Sequence, residues 1–182
     1  MIHLYYGDGK GKTTSAIGLA LRAAGNSIPV IFVQFMKSAS AGELNSLEKL
    51  GIRILRGKES RHFFSQMTEK EKEETKKLSE EIFSRAISLT RDYLQHGEGM
   101  SSPDCPRLLL VLDEVCAACH YRMLSPDDVM AAVRQLPEQV EVVLTGRNPP
   151  SLFLEAADYI TEMKKIRHPY DKKITARKGV EF

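Results

Sequence analysis

The sequence predicts an α/β fold with a mainly parallel central sheet flanked by helices. Two observations lead to this prediction. Apolar runs of strand length alternate with helical segments along the chain, and a glycine-rich stretch joins the first strand to the first helix. The 182 residues fit a single domain, 1–182, with a full core, and no internal repeat indicates a second one.

The glycine-rich stretch has the sequence GDGKGKTT and covers residues 7–14. It lies between a predicted strand over 2–6 and a predicted helix over 15–24. Glycines let the backbone turn tightly and direct successive N–H groups at an anion, and the helix start adds its unpaired N–H groups and its dipole. Lys12 supplies a positive charge, and the Thr13 hydroxyl can bind Mg²⁺. The stretch therefore predicts a polyphosphate site, the alternative being a turn without a ligand.

This phosphate loop is shorter than the usual pattern. Three residues separate Gly7 from Gly11, where the usual loop has four residues between its first glycine and the Gly-Lys pair. The shortening leaves open how a nucleotide lies in the loop.

The other predicted elements follow from apolar patterning and turn residues. Strands are predicted over 29–35, 52–55, 108–112, 140–145 and 159–163. Helices are predicted over 43–50, 68–95, 125–136 and 152–157, with loops over 36–42, 56–66 and 96–106.

The longest predicted helix opens with the capping-box sequence TEKE at 68–71. Its apolar residues recur at helical spacing and predict one buried stripe, formed by Leu78, Ile82, Ala86, Leu89 and Tyr93. The charged residues over 69–77 are interpreted as a solvated face.

Two carboxylates, Asp113 and Glu114, end the most apolar strand. In phosphate-binding folds such a strand lies near the phosphate loop, and its acid holds Mg²⁺ directly or through water. We therefore expect a metal role for this pair, although sequence does not decide which of the two binds. The simpler alternative is an acid that caps the following helix.

The three cysteines do not suggest a disulfide framework. Cys116, Cys119 and His120 have spacing that suggests zinc, but a closed zinc site needs four ligands and no second pair follows at metal spacing. We expect reduced, partly buried thiols near the nucleotide instead.

Composition is that of an ordinary soluble protein, with 42% hydrophobic and 27% charged residues. A net charge of +2 gives no field that would indicate nucleic acid or an acidic membrane as a partner. No basic leader precedes an apolar run and no stretch approaches the length of a membrane span, so a cytoplasmic protein is expected.

Three parts of the chain resemble one known family. The stretch 7–14 closely resembles the shortened phosphate loop of the ATP:corrinoid adenosyltransferases of cobalamin biosynthesis and salvage, in which Asn is common at the position of Asp8. Residues 143–148 and 156–164 look like the late segment of that family, and 168–171 with 178–182 look like its C-terminal signature.

The resemblance implies a RecA-like P-loop fold, often dimeric. It also implies transfer of the 5′-deoxyadenosyl group of ATP, the co-substrate, to the Co(I) of a reduced corrinoid with release of triphosphate. The corrinoid would be cobalamin, cobinamide or cobyrinic acid a,c-diamide, and Mg²⁺ or Mn²⁺ would assist. A flavoprotein or another reductase would supply the electrons, and the protein would form a homodimer.

The resemblance also suggests site residues. The triphosphate would be held by Gly9, Lys10, Gly11, Lys12, Thr13 and Thr14, and the binding set that we expect also includes Gly7 and Asp8 of the same loop. Arg22 matches a phosphate-contacting arginine, and Glu114 matches the acid associated with the metal. Together with the residues assigned from their own patterns, Lys12, Thr13 and Arg22 form the expected catalytic set, while Thr13, Asp113 and Glu114 form the expected metal set. Family members often have a Trp near the lower face of the corrin. This chain has none, and Phe63 and Phe64 are the available substitutes.

Two other functions use the same loop. A small-molecule kinase would need a group that orients or deprotonates the acceptor and would produce ADP. An ATP-driven regulatory module of the RecA type would produce ADP and phosphate and would respond to a macromolecular partner.

Overall fold

The structure is a computed structural model that describes residues 1–36, 42–57, 64–96 and 106–180. In these ranges, the α-helices are α1 (Lys12–Gly25), α2 (Gly42–Lys49), α3 (Glu69–His96), α4 (Val115–His120), α5 (Pro126–Arg134) and α6 (Ser151–Ala156). The strands are β1 (Ile2–Tyr6), β2 (Val30–Gln34), β3 (Arg53–Arg56), β4 (Leu108–Asp113), β5 (Val140–Gly146) and β6 (Tyr159–Glu162). Two 3₁₀ turns cover Phe64–Gln66 and Pro169–Lys172.

All six strands are parallel and lie in the order β3-β2-β4-β5-β1-β6. This confirms the predicted α/β class and is consistent with a RecA-like P-loop fold. The central strands β2 and β4 are buried along their whole length, because helices cover both faces of the sheet. In a parallel sheet every strand ends at the same edge, so the segments after β1, β2, β4 and β5 meet there.

The two faces of the sheet carry separate cores. Residues Ala16, Ala20 and Ala23 of α1 and Leu47 of α2 pack on one face, which we call the α1 face. The small alanine side chains let α1 lie close to the sheet. Helices α3, α4, α5 and α6 pack on the other face, where the larger side chains of the main core are buried.

The start of α3 confirms the predicted capping box. The Thr68 backbone N–H donates to the Glu71 carboxylate at 2.7 Å, and the Glu71 N–H donates to the Thr68 hydroxyl at 3.3 Å. The start of α5 is also as predicted, with the Ser125 hydroxyl accepting from the Asp128 N–H at 3.3 Å.

The buried stripe of α3 lies beside the predicted one. Of the predicted residues only Ala86 is fully buried, and the most buried positions are Ser79, Phe83, Ala86, Ile87 and Thr90. A pattern of apolar residues at helical spacing does not include Ser79 and Thr90, because both are polar. Their hydroxyls can be buried because each donates to the backbone carbonyl four residues earlier, at 2.8 Å.

Helix α4 is absent from the sequence prediction. It follows β4 after Glu114 alone, with no glycine or proline to mark a helix start, whereas the equally short α6 follows Pro149 and Pro150. Most of the predicted loops over 36–42, 56–66 and 96–106 lies outside the described residues, namely 37–41, 58–63 and 97–105. No helix in the described part of the chain is both long and apolar enough to cross a membrane.

Candidate functional site

The phosphate loop joins β1 to α1 at the carboxyl edge of the sheet, as predicted. Gly7 has φ +115° and Gly11 has φ +121°, a region that favours glycine. The loop packs against the end of β6, where the Gly9 N–H donates to the Met163 carbonyl at 2.6 Å. A Cβ on Gly7 or Gly9 would lie only 2.5 or 2.6 Å from that carbonyl oxygen. The neighbouring backbone therefore requires glycine at both positions, and at Gly7 the positive φ favours glycine as well.

Lys12 is the first residue of α1 and is 7% exposed. Its Nζ donates to the Gly9 carbonyl at 2.8 Å, so the ammonium lies against the loop that the sequence assigns to phosphate. Burial lowers the pKa of Lys12, and the Glu114 carboxylate acts in the opposite direction. A partly desolvated cation of this kind gains most when an anion binds beside it.

Asp113 is fully buried at the end of β4 and accepts three side-chain hydrogen bonds. The Thr13 and Thr145 hydroxyls donate to Oδ1 at 2.9 and 2.7 Å, and the Gln34 amide donates to Oδ2 at 3.3 Å. The structure thus brings Thr13 and Asp113 together, as the expected metal set requires. Because Thr13 gives its only proton to Asp113, its oxygen lone pairs remain available to a cation.

Glu114 differs from Asp113 in its surroundings. It has φ +61°, and its backbone N–H donates to the Thr145 hydroxyl at 2.9 Å. Its half-buried side chain acts electrostatically on Lys12 more strongly than that of Asp113 does. Both carboxylates therefore lie at the loop, with Asp113 bonded to the protein and Glu114 near the lysine.

Asp8, Lys165 and Arg147 form the outer rim of the loop. The exposed Asp8 carboxylate accepts from the Lys165 N–H at 2.9 Å, and this hydrogen bond holds the pKa of Asp8 below its usual value. The Arg147 guanidinium lies 3.5 Å from the Asp8 carbonyl oxygen and acts electrostatically on Lys12. Sequence reasoning left Arg147 out of the site, although it lies in the late segment that carries the family resemblance.

Two further loop residues have different surroundings. Lys10 is exposed and its Nζ donates to the Val180 carbonyl at 2.9 Å, so the C-terminal tail reaches the loop. Thr14 is exposed in the first turn of α1.

Arg22 is not brought to the loop within one chain. It lies in the last turn of α1, and a rise of about 1.5 Å per residue places it about 15 Å along the axis from Lys12. It lines a cavity of about 300 Å³ at the opposite edge of the sheet, together with His3, Glu141 and Tyr159. The phosphate contact that the resemblance suggests for Arg22 stays a prediction, which the geometry of a single chain does not support.

Phe64 lies in the first 3₁₀ turn, half-buried, with its ring centroid 4.4 Å from that of Tyr121. The Lys72 Nζ lies 5.7 Å from the Phe64 centroid. Tyr121 is 42% exposed. It is a second aromatic residue beside Phe64, which the resemblance suggests for the lower face of the corrin. Phe63 lies outside the described residues.

Cys116 and Cys119 are unbonded thiols, and both are buried more completely than expected. Burial raises the pKa of both, to about 12 for Cys119. Cys116 packs against the end of β5, since a Cβ on Gly146 would lie 2.8 Å from its Cβ. The described residues, which do not include Cys105, contain no group of three or more His, Cys, Asp or Glu side chains placed to hold a metal ion.

Comparison with known proteins gives the family. A family model described as ATP:corrinoid adenosyltransferase BtuR/CobO/CobP matches residues 1–182. The chain belongs to this family. The family uses ATP and a corrinoid as substrates, and the enzyme is an ATP:corrinoid adenosyltransferase.

Several curated relatives agree with this assignment. The adenosyltransferase is 33% identical over 180 residues to the corrinoid adenosyltransferase of Pseudomonas aeruginosa, covering 98% of this chain and 82% of the relative. It is 30% identical over 183 residues to the corrinoid adenosyltransferase of Escherichia coli K12, covering 100% and 85%. It is also 30% identical over 184 residues to the corrinoid adenosyltransferase CobA of Salmonella typhimurium, covering 100% and 85%.

Proposed function

We propose that loop 7–14 holds the triphosphate of ATP while the cobalt of a reduced corrinoid takes the 5′-deoxyadenosyl group. The observation that carries this proposal is the arrangement at the start of α1. The buried Lys12 ammonium lies against the loop, and the next residue, Thr13, is bonded to Asp113. This places a cation and a hydroxyl oxygen together at a helix N-terminus, where anions bind.

The proposed reaction is a displacement at C5′. Co(I) is a strong nucleophile, so a cobalt–carbon bond forms while the C5′–oxygen bond breaks and its electron pair leaves with the triphosphate. Cobalt is thereby oxidised formally to Co(III). No proton is removed and no general base is required, so the protein contributes alignment and charge stabilisation.

Charge stabilisation would come from Lys10 and Lys12 of the loop, and Arg147 is a third cation at its rim. Arg147 approaches the Asp8 carbonyl and acts on Lys12, which supports its position beside bound phosphate. It can serve in one chain the role that the resemblance suggests for Arg22. Like charges close together disfavour one another, so a trianionic or tetra-anionic leaving group relieves their repulsion.

The residues at the loop fit a divalent cation. Mg²⁺ prefers oxygen ligands, and the Thr13 hydroxyl, Asp113 and Glu114 offer them within one region. The Gln34 carbonyl oxygen Oε1 is also buried there without a hydrogen-bond partner among the described residues. We propose Thr13 as the direct ligand, Asp113 as the group that orients it, and Glu114 as the acid nearest the lysine. Mg²⁺ or Mn²⁺ bound there would neutralise charge on the triphosphate.

We propose that Phe64, with Phe63, faces the lower side of the corrin in place of the family tryptophan. The Phe64–Tyr121 contact supports an aromatic surface at this position. From the family resemblance we further propose one P-loop domain over 1–182, a homodimer, and a flavoprotein or other reductase as electron donor. The cytoplasmic location expected from the sequence belongs to the same proposal.

The test is the identity of the products. The enzyme is incubated without oxygen with ATP, Mg²⁺ and chemically reduced cobalamin, absorbance reports the cobalt–carbon bond, and ³¹P NMR reports the phosphates. We expect one uncleaved triphosphate per adenosyl group, formed only when the reduced corrinoid is present. ADP without a cobalt–carbon bond would contradict the proposal and indicate a kinase. ADP with phosphate would indicate an ATPase.

A further inference from the structure

A row of polar side chains crosses the α1 face of the sheet at its carboxyl edge. Gln34 of β2 is paired in register with Asp113 of β4 on one side and with Arg56 of β3 on the other. Side chains alternate along a strand, and Val30 and Phe32 of β2 belong to the α1 face. Gln34 therefore lies on that face too, directly after two core residues.

The orientation of the Gln34 amide is set by Asp113. The Asp113 carboxylate accepts hydrogen bonds, so the Gln34 NH₂ group must be the one that faces it, at 3.3 Å. The carbonyl oxygen Oε1 then points to the other side of the amide. Gln34 is 2% exposed, and Oε1 has no hydrogen-bond partner among the described residues.

A buried acceptor without a donor costs free energy, and an apolar side chain of the same length would avoid this cost. What the polar amide contributes is its NH₂ group, which donates to the buried Asp113 carboxylate at 3.3 Å. The cation proposed above lies at Thr13, which is linked to Gln34 through the two oxygens of one carboxylate.

We propose that Gln34 is a positioning residue for the cation at the phosphate loop. Its NH₂ group donates to Oδ2 and so fixes the Asp113 carboxylate with Oδ1 facing Thr13. This inference rests on the proposed metal role of Thr13 and adds to it a residue that is not a direct ligand. Groups that orient metal ligands in this way typically change metal affinity by about 10- to 100-fold.

The test measures cation binding separately from activity. Mn²⁺ is titrated into the wild-type enzyme with saturating ATP, and free Mn²⁺ is followed by electron paramagnetic resonance. ATP affinity is also measured in EDTA, without a cation. Gln34→Met keeps the length of the side chain and removes both polar groups. We expect its half-saturating Mn²⁺ concentration to rise about 10-fold or more, with metal-free ATP affinity changed less than about twofold.

Two further variants make the result specific. Gln34→Asn keeps the amide but draws it back by one methylene, and we expect a loss of Mn²⁺ affinity in the same direction even if Gln34→Met folds poorly. Arg56→Met alters the in-register neighbour on β3, and we expect it to leave Mn²⁺ affinity near that of the wild type. Equal effects of the Gln34 and Arg56 variants would indicate packing alone and overturn the inference.

The remaining outcomes distinguish a failure of the Gln34 inference from a failure of the metal site proposed at Thr13. Mn²⁺ affinity that is unchanged in both Gln34 variants but lost in Thr13→Val would overturn the role of Gln34 and leave the metal site standing. A wild-type enzyme that binds no Mn²⁺ with ATP would overturn the metal site and the role of Gln34 together. Neither result would alter the triphosphate assay, which tests the transfer reaction itself.

Discussion

At the level of single residues, the surroundings of Lys12 are those expected for a cation that binds an anion. It is buried at the start of a helix, its pKa is lowered by burial, and its hydrogen bond goes to a backbone carbonyl of its own loop. Such a side chain contributes little to the stability of the folded chain, because its charge is poorly solvated. In the proposed mechanism its role is the charge that it offers to bound phosphate.

We therefore predict that Lys12→Ala lowers the rate of adenosyl transfer at least about 100-fold, the size expected for losing one preorganised charge at a developing anion. The far-ultraviolet circular dichroism and the melting temperature should remain close to the wild type. Turnover and melting are measured on the same preparation. Lys49→Ala, on α2, removes a lysine from an exposed position and serves as the control. Near-normal turnover in a folded Lys12→Ala variant would exclude Lys12 from the mechanism.

The residues that sequence could and could not identify differ in a physical way. Lys12, Thr13 and Asp113 follow from local patterns, since each is fixed by its position in a loop or at a strand end. Gln34 and Arg147 come to the site only through strand order and packing, which local patterns do not contain. Arg22 shows the converse, because its place ten residues after Lys12 in α1 already sets it about 15 Å along the helix axis from the loop.

At the level of elements, the short phosphate loop depends on β6. Backbone hydrogen bonds link the two in both directions, from Gly9 to the Met163 carbonyl and from the Met163 N–H to the Tyr6 carbonyl at 2.7 Å. The sequence indicated glycines for a tight turn. The close approach of a second backbone, at Gly7 and Gly9, could not be inferred without the strand order.

We predict that Gly9→Ala weakens ATP binding at least about 10-fold and destabilises the fold by about 1–3 kcal/mol, because its Cβ would overlap the Met163 carbonyl. Gly18→Ala is the matched control. Gly18 lies within α1 with open space around it, so alanine there should stabilise the enzyme by about 0.5–1 kcal/mol. Urea unfolding and calorimetric ATP titration provide the two measurements. Equal stability of the two variants would contradict the close packing of loop and strand.

The capping box of α3 allows a second test at this scale. Thr68→Ala removes the hydroxyl that accepts from the Glu71 N–H, and we expect a loss of about 1 kcal/mol in the free energy of unfolding. Thr68→Ser keeps the hydroxyl and should stay within about 0.5 kcal/mol of the wild type. Adenosyl transfer should be unaffected in both. If the two variants were equally destabilised, the hydroxyl would not be the group that matters.

At the level of the whole molecule, the buried cysteines link stability to alkaline pH. An ordinary thiol has a pKa of 9.0, whereas burial raises the pKa of Cys119 to about 12 and also raises that of Cys116. Above pH 9 the unfolded chain releases thiol protons that the folded chain retains. The unfolded state then binds fewer protons, so the free energy of unfolding falls as pH rises.

We predict that wild-type stability falls between pH 9 and pH 11 more steeply than that of a Cys116→Ala, Cys119→Ala double variant. Urea unfolding at several pH values gives both slopes. The double variant controls for lysines and tyrosines, which titrate in the same range in both proteins. Parallel slopes would show that the two thiols do not differ between the folded and unfolded states.

Fold class and most element positions could be predicted from sequence, because strand and helix periods are local and strong. The starts of α3 and α5 followed from caps, whereas α4 follows β4 with no glycine or proline to mark its start and could not be recognised. The order of the strands was beyond such reasoning. It places β1 between β5 and β6, although the sequence separates β1 from both by more than a hundred residues.

That order has a consequence for how the protein is made. β1 and the phosphate loop are synthesised before both of the strands that pair with β1, which are the last two of the described sheet in chain order. The acceptor for the Gly9 amide, Met163, directly follows β6 and therefore emerges after every strand of that sheet. A nascent chain therefore cannot assemble the loop against its partner strand until β6 has been synthesised, so the complete ATP site forms late in folding.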